Sequence, residues 1–449
     1  MGVTLASSCT APTAQPTALV LTGVSPSQID GSFTASVPAA DEYLVVRYPA
    51  ATAPTDPVNG VSYSAGTALG AGTVVYSGPA TTFSATGLDP ATSYTFYVYA
   101  FNNTNCVGPV YNTTSPLTAS QSTNTCATLT GVIPVGPTGT YPSLTAALAA
   151  LSTGISGPVV LELQTTYNSS VETFPLTIGL NPCFSASNTL TIRPAAGATA
   201  LSITSADPVA TIDLNGSKYV TIDGRPGGTG TQSELTIVNT ANSGVAIRFI
   251  NDAHHNTITY CDIQGQNTTT PPNPAGATMA GVVYFGGTNT VAMQGNDDNV
   301  LSFCSIHGTP GGNPHYGILA TGSTASVGAY NDNNTITNCQ IYDFFSAGSA
   351  TTGIKLDAGN NAWTISDNHF YQTTLRTYTT ANTHRVLWIT PNTGSISNTA
   401  SGFIVTGNKI GGNAPNAAGT YELGGNVNTN FMGMDISVGH GTPTSIQGN

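Results

Sequence analysis

The chain offers few residues for acid–base chemistry. Its 449 residues include 21 acidic, 9 basic and 7 histidine side chains. Hydrolysis of a glycosidic bond by two carboxylates requires a separation of about 5 to 9.5 Å between them. A catalytic pair must therefore lie on neighbouring strands of one surface.

Asp357 and Asp435 are weak candidates for such a pair. Both fall at outward positions of a repeat described below, two coils and hence about 10 Å apart. That distance is at the upper limit for an inverting pair. We interpret both as solvated surface residues, and we predict no catalytic residue.

Basic residues that could accept a proton in an elimination reaction are isolated as well. The same register places Arg248 and Lys355 on the outward surface, three coils or about 14 Å apart. Between them it places uncharged residues outward, Val283, Phe285 and Leu319. A lyase also requires carboxylates for Ca²⁺ beside its base. No cofactor or metal is predicted, because Ca²⁺ would serve only a lyase and no ligand pattern supports it.

A second outward row carries rings instead of charges. His307, Tyr342 and Tyr371 follow equivalent strand positions, with His369 in the adjacent row. Flat rings repeated about 4.8 Å apart suit the apolar faces of sugars. Mutual stacking that stabilises the repeat is the alternative. The row predicts either a polysaccharide-binding surface or a structural ladder.

The seven cysteines separate into two groups. Cys261, Cys304 and Cys339 fall at buried repeat positions, where a free thiol acts as a small apolar filler. Four others lie at the edges of the predicted domains, and the natural pairing is Cys9 with Cys106 and Cys126 with Cys183, although four cysteines allow three connectivities. Disulfides would indicate an extracellular compartment.

A repeat of about 36 residues must position these side chains. Strand motifs begin 37, 36 and 36 residues apart, at Gly244, Gly281, Gly317 and Gly353. A second motif in each repeat has one small inward residue: Cys261, Cys304, Cys339, Asn368 and Asn408. Such repeats cannot bury a core alone and must stack on their neighbours. The pattern predicts a parallel β-helix over residues 123–449, with these five residues in one buried ladder.

The sequence predicts a different structure at each end of the β-helix. A short apolar helix at about 143–151 would cover the N-terminal end, which protects its core and strand edges. The last residues, 445–449, show no comparable cap. We therefore expect the β-helix to be truncated at the C-terminus.

Short alternating runs separated by Gly and Pro turns predict a β-sandwich over residues 9–122. Residues 1–8 are predicted to form an N-terminal extension. Residues 87–100 resemble the fibronectin type III signature, in which the hydroxyl of a corner tyrosine, here Tyr94, bonds back to the backbone. By alternation we expect one face of this strand to be buried and the other exposed: Tyr94, Phe96, Val98 and Ala100 inward, and Thr95, Tyr97 and Tyr99 outward. The whole chain is predicted to be all-β.

Composition excludes several partners. The formal net charge is −12, and clustered Lys and Arg for phosphate binding are missing, so nucleic acid is excluded. No apolar run approaches the roughly 20 residues that span a bilayer. We predict no membrane insertion.

The repeats resemble the right-handed parallel β-helix superfamily that includes pectate lyases and polygalacturonases. Short matches to polygalacturonase motifs occur at 296–298 and 439–441, but they lie about four coils apart where that family requires one. We interpret the first as turn residues. Segments 9–17, 105–109, 141–148 and 218–225 resemble very large secreted proteins of Bacteroidota, which usually use type IX secretion. This resemblance implies an extracellular or cell-surface location.

Three functional hypotheses follow from these observations. The first is a non-enzymatic structural or adhesion protein that binds polysaccharide or a cell-surface glycan along the β-helix. The second is a polysaccharide lyase or glycoside hydrolase of the β-helix type. The third is self-association, by end-to-end stacking into an extracellular filament.

Overall fold

The computed structural model describes residues 8–104, 106–271, 278–287, 294–391 and 400–449. The chain forms two compact units, Met1–Thr128 and Leu129–Asn449. Except for Ser8, the predicted N-terminal extension lies outside the described residues. Within the described part of the chain, no helix is long and apolar enough to cross a bilayer.

The first unit is a sandwich of two antiparallel sheets. The smaller sheet contains three strands, Thr17–Ser25, Gln28–Thr34 and Thr82–Ala85. The larger sheet contains six, Ala68–Leu69, Gly72–Gly78, Glu42–Pro49, Ser93–Asn102, Val110–Tyr111 and Leu117–Ser122. The apolar residues between the two sheets include Ile29, Phe83 and Phe96. The Tyr94 hydroxyl accepts a hydrogen bond from Asp89 N at 3.0 Å, which fixes the corner before its strand.

The prediction that Tyr99 faces solvent was wrong. Tyr99 is fully buried in a second apolar cluster, with Tyr48 and Leu69, on the other face of the larger sheet. The segment after Pro49 covers this face, because the Tyr48 hydroxyl bonds to Thr55 and Leu69 carbonyls at 3.1 Å each. Alternation predicted one buried face, whereas a long connection buries the second.

The second unit is a parallel β-helix, and the all-β fold class is confirmed. Each full coil runs through three sheets, here called sheet 1, sheet 2 and sheet 3 in the order in which the chain meets them.

Sheet 1 has ten strands: Gly131–Val135, Val159–Leu163, Leu190–Pro194, Val220–Asp223, Thr257–Thr259, Val300–Ser302, Thr335–Thr337, Thr364–Ser366, Ile404–Thr406 and Ser445–Gln447. Sheet 2 has seven: Leu201–Ser205, Leu235–Asn239, Asp262–Gly265, Ser305–Gly308, Gln340–Tyr342, His369–Tyr371 and Lys409–Ile410. Sheet 3 has eight: Leu176–Gly179, Ala210–Asn215, Val245–Ile250, Val283–Gly286, Tyr316–Thr321, Thr351–Leu356, Asn382–Ile389 and Thr429–Ile436.

Two small parallel pairs of strands lie outside the three sheets, Asn331–Asp332 with Asn360–Asn361 and Arg376–Thr377 with Leu423–Gly424. Short 3-10 turns occur at Ser169–Val171, Pro226–Gly228, Val327–Ala329 and Pro415–Ala417. All strand pairing within sheets 1, 2 and 3 is parallel, so equivalent residues of successive coils form columns about 4.8 Å apart.

The corner between sheet 1 and sheet 2 requires one residue with a left-handed backbone in each coil. Tyr260 and Phe303 adopt φ values of 51° and 54°, and Gly407 occupies the same corner at 68°. The next residue points inward and forms a buried column: Cys261, Cys304, Cys339, Asn368 and Asn408. Asn368 accepts from Cys339 N at 2.9 Å and donates to Asn408 at 3.0 Å, so its amide bonds to the coils on both sides.

A second amide column precedes the strands of sheet 1. Asn299 donates to Asn334 Oδ1 at 3.0 Å and to Ala253 O at 2.8 Å. Its own Oδ1 accepts from the backbone N and side-chain Nδ2 of Asn256, at 3.1 and 3.0 Å. Asn296, in the 296–298 segment that resembles a polygalacturonase motif, has a similar structural role, since it donates to Asn331 Oδ1 at 2.9 Å.

The helix Leu144–Leu151 covers the first coils, as expected. Leu144, Ala147 and Leu151 are buried in the β-helix core. The Glu172 carboxylate accepts from the backbone N of Leu144 and Thr145 at 2.7 Å each, a favourable position for an anion at a helix N-terminus.

The edge cysteines are oxidised. Cys9 and Cys106 form a disulfide within the first unit, and Cys126 and Cys183 are also disulfide-bonded. Cys261, Cys304 and Cys339 are free and buried.

Replacing Asn299 with Ala should destabilise the β-helix by about 3 kcal/mol or more, because buried donors and acceptors on both neighbouring coils lose their partners. Urea unfolding followed by circular dichroism measures this loss. The control is Asn426→Ala, whose side chain is exposed. Equal stability of the two variants would contradict a structural role for the amide column.

Candidate functional site

Sheet 2 places the predicted aromatic row in one outward column. His307 and Tyr342 stack with ring centroids 4.4 Å apart, and Tyr342 and Tyr371 follow at 4.6 Å. The planes differ by 14° and 7°, so the three rings are nearly parallel. His369 lies in the neighbouring column, paired with Gln340 and Lys409.

Stacking changes what the rings can offer to a ligand. Their faces contact one another, so the expected sugar contacts on open ring faces are not available between coils. Tyr371 is buried, and its hydroxyl donates to Gln340 Oε1 at 2.9 Å. Burial raises the pKa of Tyr342 and of Tyr371, and lowers the pKa of His369. The ring edges of His307 and Tyr342 remain accessible and line one side of the adjoining cleft.

His307 is fixed by two acceptors. Its Nδ1 lies 2.8 Å from Gly308 O, and its Nε2 lies 2.7 Å from Asp262 Oδ1. Gln264 donates to the other oxygen of Asp262 at 2.7 Å. The ring is thus held against Tyr342 by contacts along its own strand and to the preceding coil.

An open cleft of about 450 Å³ adjoins this row. Three successive coils line it: His307 with the loop 308–313, then Tyr342 and Asp343, then Thr373, Thr374 and Arg376. The volume is in the range typical of small-molecule sites. The lining combines polar side chains with an equal share of apolar surface, and it includes Gly311 and Gly312.

Arg376 is the most firmly held side chain of the cleft. Its Nη2 contacts Asp343 Oδ1 at 2.5 Å, Nη1 donates to Asn313 at 3.0 Å, and Nε donates to Gln372 at 2.7 Å. Gln372 is buried and donates in turn to Phe344 O at 2.8 Å. The guanidinium orientation is therefore fixed before any ligand binds.

The Asp343 carboxylate is also held in a fixed orientation, by hydrogen bonds from Thr373. Its carboxylate accepts from the backbone N and the hydroxyl of Thr373, at 2.9 and 2.6 Å. Sequence reasoning missed both Asp343 and Arg376, although Asp343 directly follows Tyr342 and Arg376 lies five residues after Tyr371. A search of the residues flanking the aromatic row for paired opposite charges would have found them.

The predicted outward register of sheet 3 was wrong in one coil. Val283 and Phe285 are buried in the core, and Tyr284 takes the outward position. The outward column is Asp213, Arg248, Tyr284, Leu319, Lys355, Trp388 and Asp435. The coil that contributes Trp388 and Arg385 was not identified from the sequence.

The weak catalytic candidates Asp357 and Asp435 lie in different columns of sheet 3. Asp435 shares its column with Lys355 and Trp388, whereas Asp357 lies two positions further along its strand than Lys355. The interpretation of Asp357 as a solvated surface residue was wrong, because its side chain is buried and pairs with Lys355 Nζ at 3.0 Å. Asp435 is partly exposed and pairs with Arg385 at 2.8 Å. The two carboxylates neutralise separate cations.

Lys355 is the most unusual ionisable group on this face. Its side chain is 1% exposed, and its Nζ lies 4.2 Å from the centre of the Trp388 ring. Arg385 contacts the same ring at 4.1 Å. Burial lowers the pKa of Lys355, and the nearby Arg385 acts in the same direction, against the opposing effect of Asp357.

Three carboxylates lie in the turns that precede sheet 1 in successive coils, Asp252, Asp297 and Asp332. Asp297 and Asp332 occupy equivalent positions, and Asp297 accepts from Asp332 N at 2.7 Å, whereas Asp252 lies two positions earlier and accepts from Gly295 N. Burial raises the pKa of Asp297 to about 7 and that of Asp332 to about 6. Among the described residues, no group of three or more His, Cys, Asp or Glu side chains is arranged to hold a metal ion.

Comparison with known proteins gives distant structural likenesses. No protein-family model matches the chain. No curated protein is similar to it in sequence. An alginate lyase from Paenibacillus sp. str. FPU-7 is similar over 66% of this chain and 99% of its own, at 11% identity and a TM-score of 0.25. A family 28 exopolygalacturonase of Yersinia enterocolitica is similar over 97% and 98%, at 10% identity and a TM-score of 0.19. At these identities, the likenesses say nothing about the activity of this chain.

The raised pKa values of Asp297 and Asp332 predict that the β-helix loses stability as the pH rises from about 4 to about 7. A pKa raised in the folded state means that the folded chain binds protons more tightly than the unfolded chain, whose Asp pKa is about 3.9. Asp297→Asn should flatten this dependence and raise the Tm at pH 8 by roughly 2 to 4 °C.

Thermal unfolding between pH 4 and pH 8 tests this expectation. Asp367→Asn removes a carboxylate that is exposed on the β-helix and serves as the control. An unchanged pH dependence in Asp297→Asn would contradict the assignment.

Proposed function

We propose that this chain is an extracellular, non-enzymatic protein that binds polysaccharide on its β-helix, in the cleft beside His307 and Tyr342. The cleft itself carries the proposal, because it is open and is built from three coils with fixed polar side chains. Arg376 and Asp343 are each held by several hydrogen bonds, which suits recognition more than proton transfer. Binding sites gain affinity from such preorganisation.

The cysteines support the proposed location. Disulfides persist in oxidising compartments, and both pairs of edge cysteines are bonded. The sandwich, with its Tyr94 corner, is consistent with a fibronectin type III-like spacer in a secreted surface protein of the type IX class. We propose that the sandwich acts as a spacer and the β-helix as the ligand-binding part.

Filling the cleft tests the binding proposal. Thr374→Trp places a large ring in the cleft from an exposed position and should lower glycan affinity by about tenfold or more. Thr377→Trp adds the same ring at an exposed position outside the cleft lining and should leave affinity unchanged. Affinity electrophoresis against a polysaccharide panel gives both values, and equal binding by the two variants would sink the proposal.

A second candidate is a polysaccharide lyase acting on sheet 3. Its supporting observation is Lys355, a buried amine with a lowered pKa, beside Arg385. In such a reaction, the neutral amine of Lys355 takes the C5 proton of a uronate residue. The C4–O bond then breaks with its electron pair on the oxygen, which takes a proton from the Lys355 ammonium or from water. The products are a C4–C5 double bond and a released sugar hydroxyl, and the lysine returns to its neutral form.

Lyase activity has a direct assay, the ultraviolet absorbance of the unsaturated product. If the second candidate is correct, polyuronate incubated with the chain, with and without Ca²⁺, gains this absorbance and Lys355→Met abolishes it. Lys409→Met removes a lysine of sheet 2 and should have no effect. Product formation that Lys355→Met leaves intact would exclude this site.

End-to-end stacking into a filament is a third proposal. The helix Leu144–Leu151 covers the first coils, so head-to-tail stacking requires that helix to move. Electron microscopy of the purified chain would reveal fibres.

A further inference from the structure

The chemistry of the cleft also bears on which class of polysaccharide it accepts. Two of its side chains, Arg376 and Asp343, have opposite charges and contact each other at 2.5 Å. Their charges cancel locally, so the cleft presents donors and acceptors without a net cationic centre. The inference about the polysaccharide class rests on the proposed function, because it concerns the ligand of the same cleft.

Sugar hydroxyls match such a pair. A hydroxyl donates one hydrogen bond and accepts others, so neighbouring hydroxyls can accept from a guanidinium while donating to a carboxylate. The rest of the lining has the same dual character, with the hydroxyls of Thr309, Thr373 and Thr374 and the amide of Asn313. These groups are spread over three coils, about 10 Å along the β-helix axis.

A uronate or sulfate group matches the pair poorly. Such groups only accept hydrogen bonds, and near Arg376 they would also lie beside the Asp343 carboxylate. Like charges brought together at a binding surface reject the ligand that carries them. Asp262, which holds His307 at 2.7 Å, adds a further carboxylate behind the cleft wall, and the net charge of −12 opposes approach of a polyanion.

We infer that the cleft selects neutral, hydroxyl-rich polysaccharides and rejects polymers of uronic acids, with Asp343 as the residue that sets this selectivity. Asp343 acts by its charge beside Arg376, while Thr373 holds the carboxylate in position. Asparagine at this position retains one side-chain oxygen as an acceptor but removes the negative charge.

Binding to two polysaccharide classes tests the inference. Neutral β-glucan, mannan and galactan are compared with polygalacturonate and alginate at low and at 0.15 M salt, where charge effects are screened over about 8 Å. Wild-type chain should bind at least one neutral polymer and neither polyuronate. Asp343→Asn should weaken neutral binding and raise polyuronate affinity by about tenfold.

A matched control isolates the local effect of the charge. Asp367→Asn changes the net charge by the same amount at an exposed position outside the cleft lining. It should leave both affinities at their wild-type values. An equal gain of polyuronate binding in Asp367→Asn would show that overall charge, and not Asp343, sets the selectivity.

The outcomes separate the inference from the proposed function. Tight binding of polyuronate by the wild-type chain, lost in Thr374→Trp, would overturn the neutral-ligand inference and retain the cleft as a binding site. Binding of neither class would overturn both. Neutral binding that Asp343→Asn leaves intact, with no gain for polyuronates, would remove Asp343 from the recognition of the ligand.

Discussion

The structure depends on satisfying backbone polar groups in the dry interior of the β-helix, where an unpaired group is costly. Strand ladders satisfy most of them, but each corner leaves groups that no strand can reach. Asparagine side chains fill this gap, since one amide donates to one coil and accepts from the next, as Asn299 and Asn368 do. These bonds fix the vertical alignment of coils, and the alignment creates every column on the surface, including the aromatic row and the cleft.

Most of the fold could be predicted from the sequence, because each repeat has a small residue, Cys or Asn, at the same inward position. The inward Cys or Asn position gave the correct register of sheets 1 and 2, since a buried corner accepts only a small residue that can bond locally. Sheet 3 was aligned on glycines instead, and these have different roles. Gly317 approaches Gly353 O closely within its strand, whereas Gly281 has a φ of 94° before its strand begins. Aligning Gly281 with Gly317 therefore shifted the predicted register of the strand Val283–Gly286 by one residue. That shift exchanged its core-facing and solvent-facing residues.

The candidate site was predictable only in part, for two physical reasons. Position in a column predicted that His307, Tyr342 and Tyr371 lie together, but it could not show that their faces would close on one another. The cleft is formed by connections after the strands of sheet 2, whose lengths vary from coil to coil and carry no periodic signal. Arg376 enters the site from such a connection, where it is held by contacts with Gln372 and Asn313.

The left-handed corner between sheets 1 and 2 has a consequence for how such a chain can diverge. Its column holds Tyr260, Phe303, Asn338, Asp367 and Gly407, which share a backbone conformation and little else. Stacking of the coils constrains the backbone φ of this corner residue and the type of the inward residue that follows it. It does not constrain the type of the outward side chain. Stacked repeats of this kind therefore have an edge along which surface chemistry can drift during evolution while the stacking beneath it is preserved.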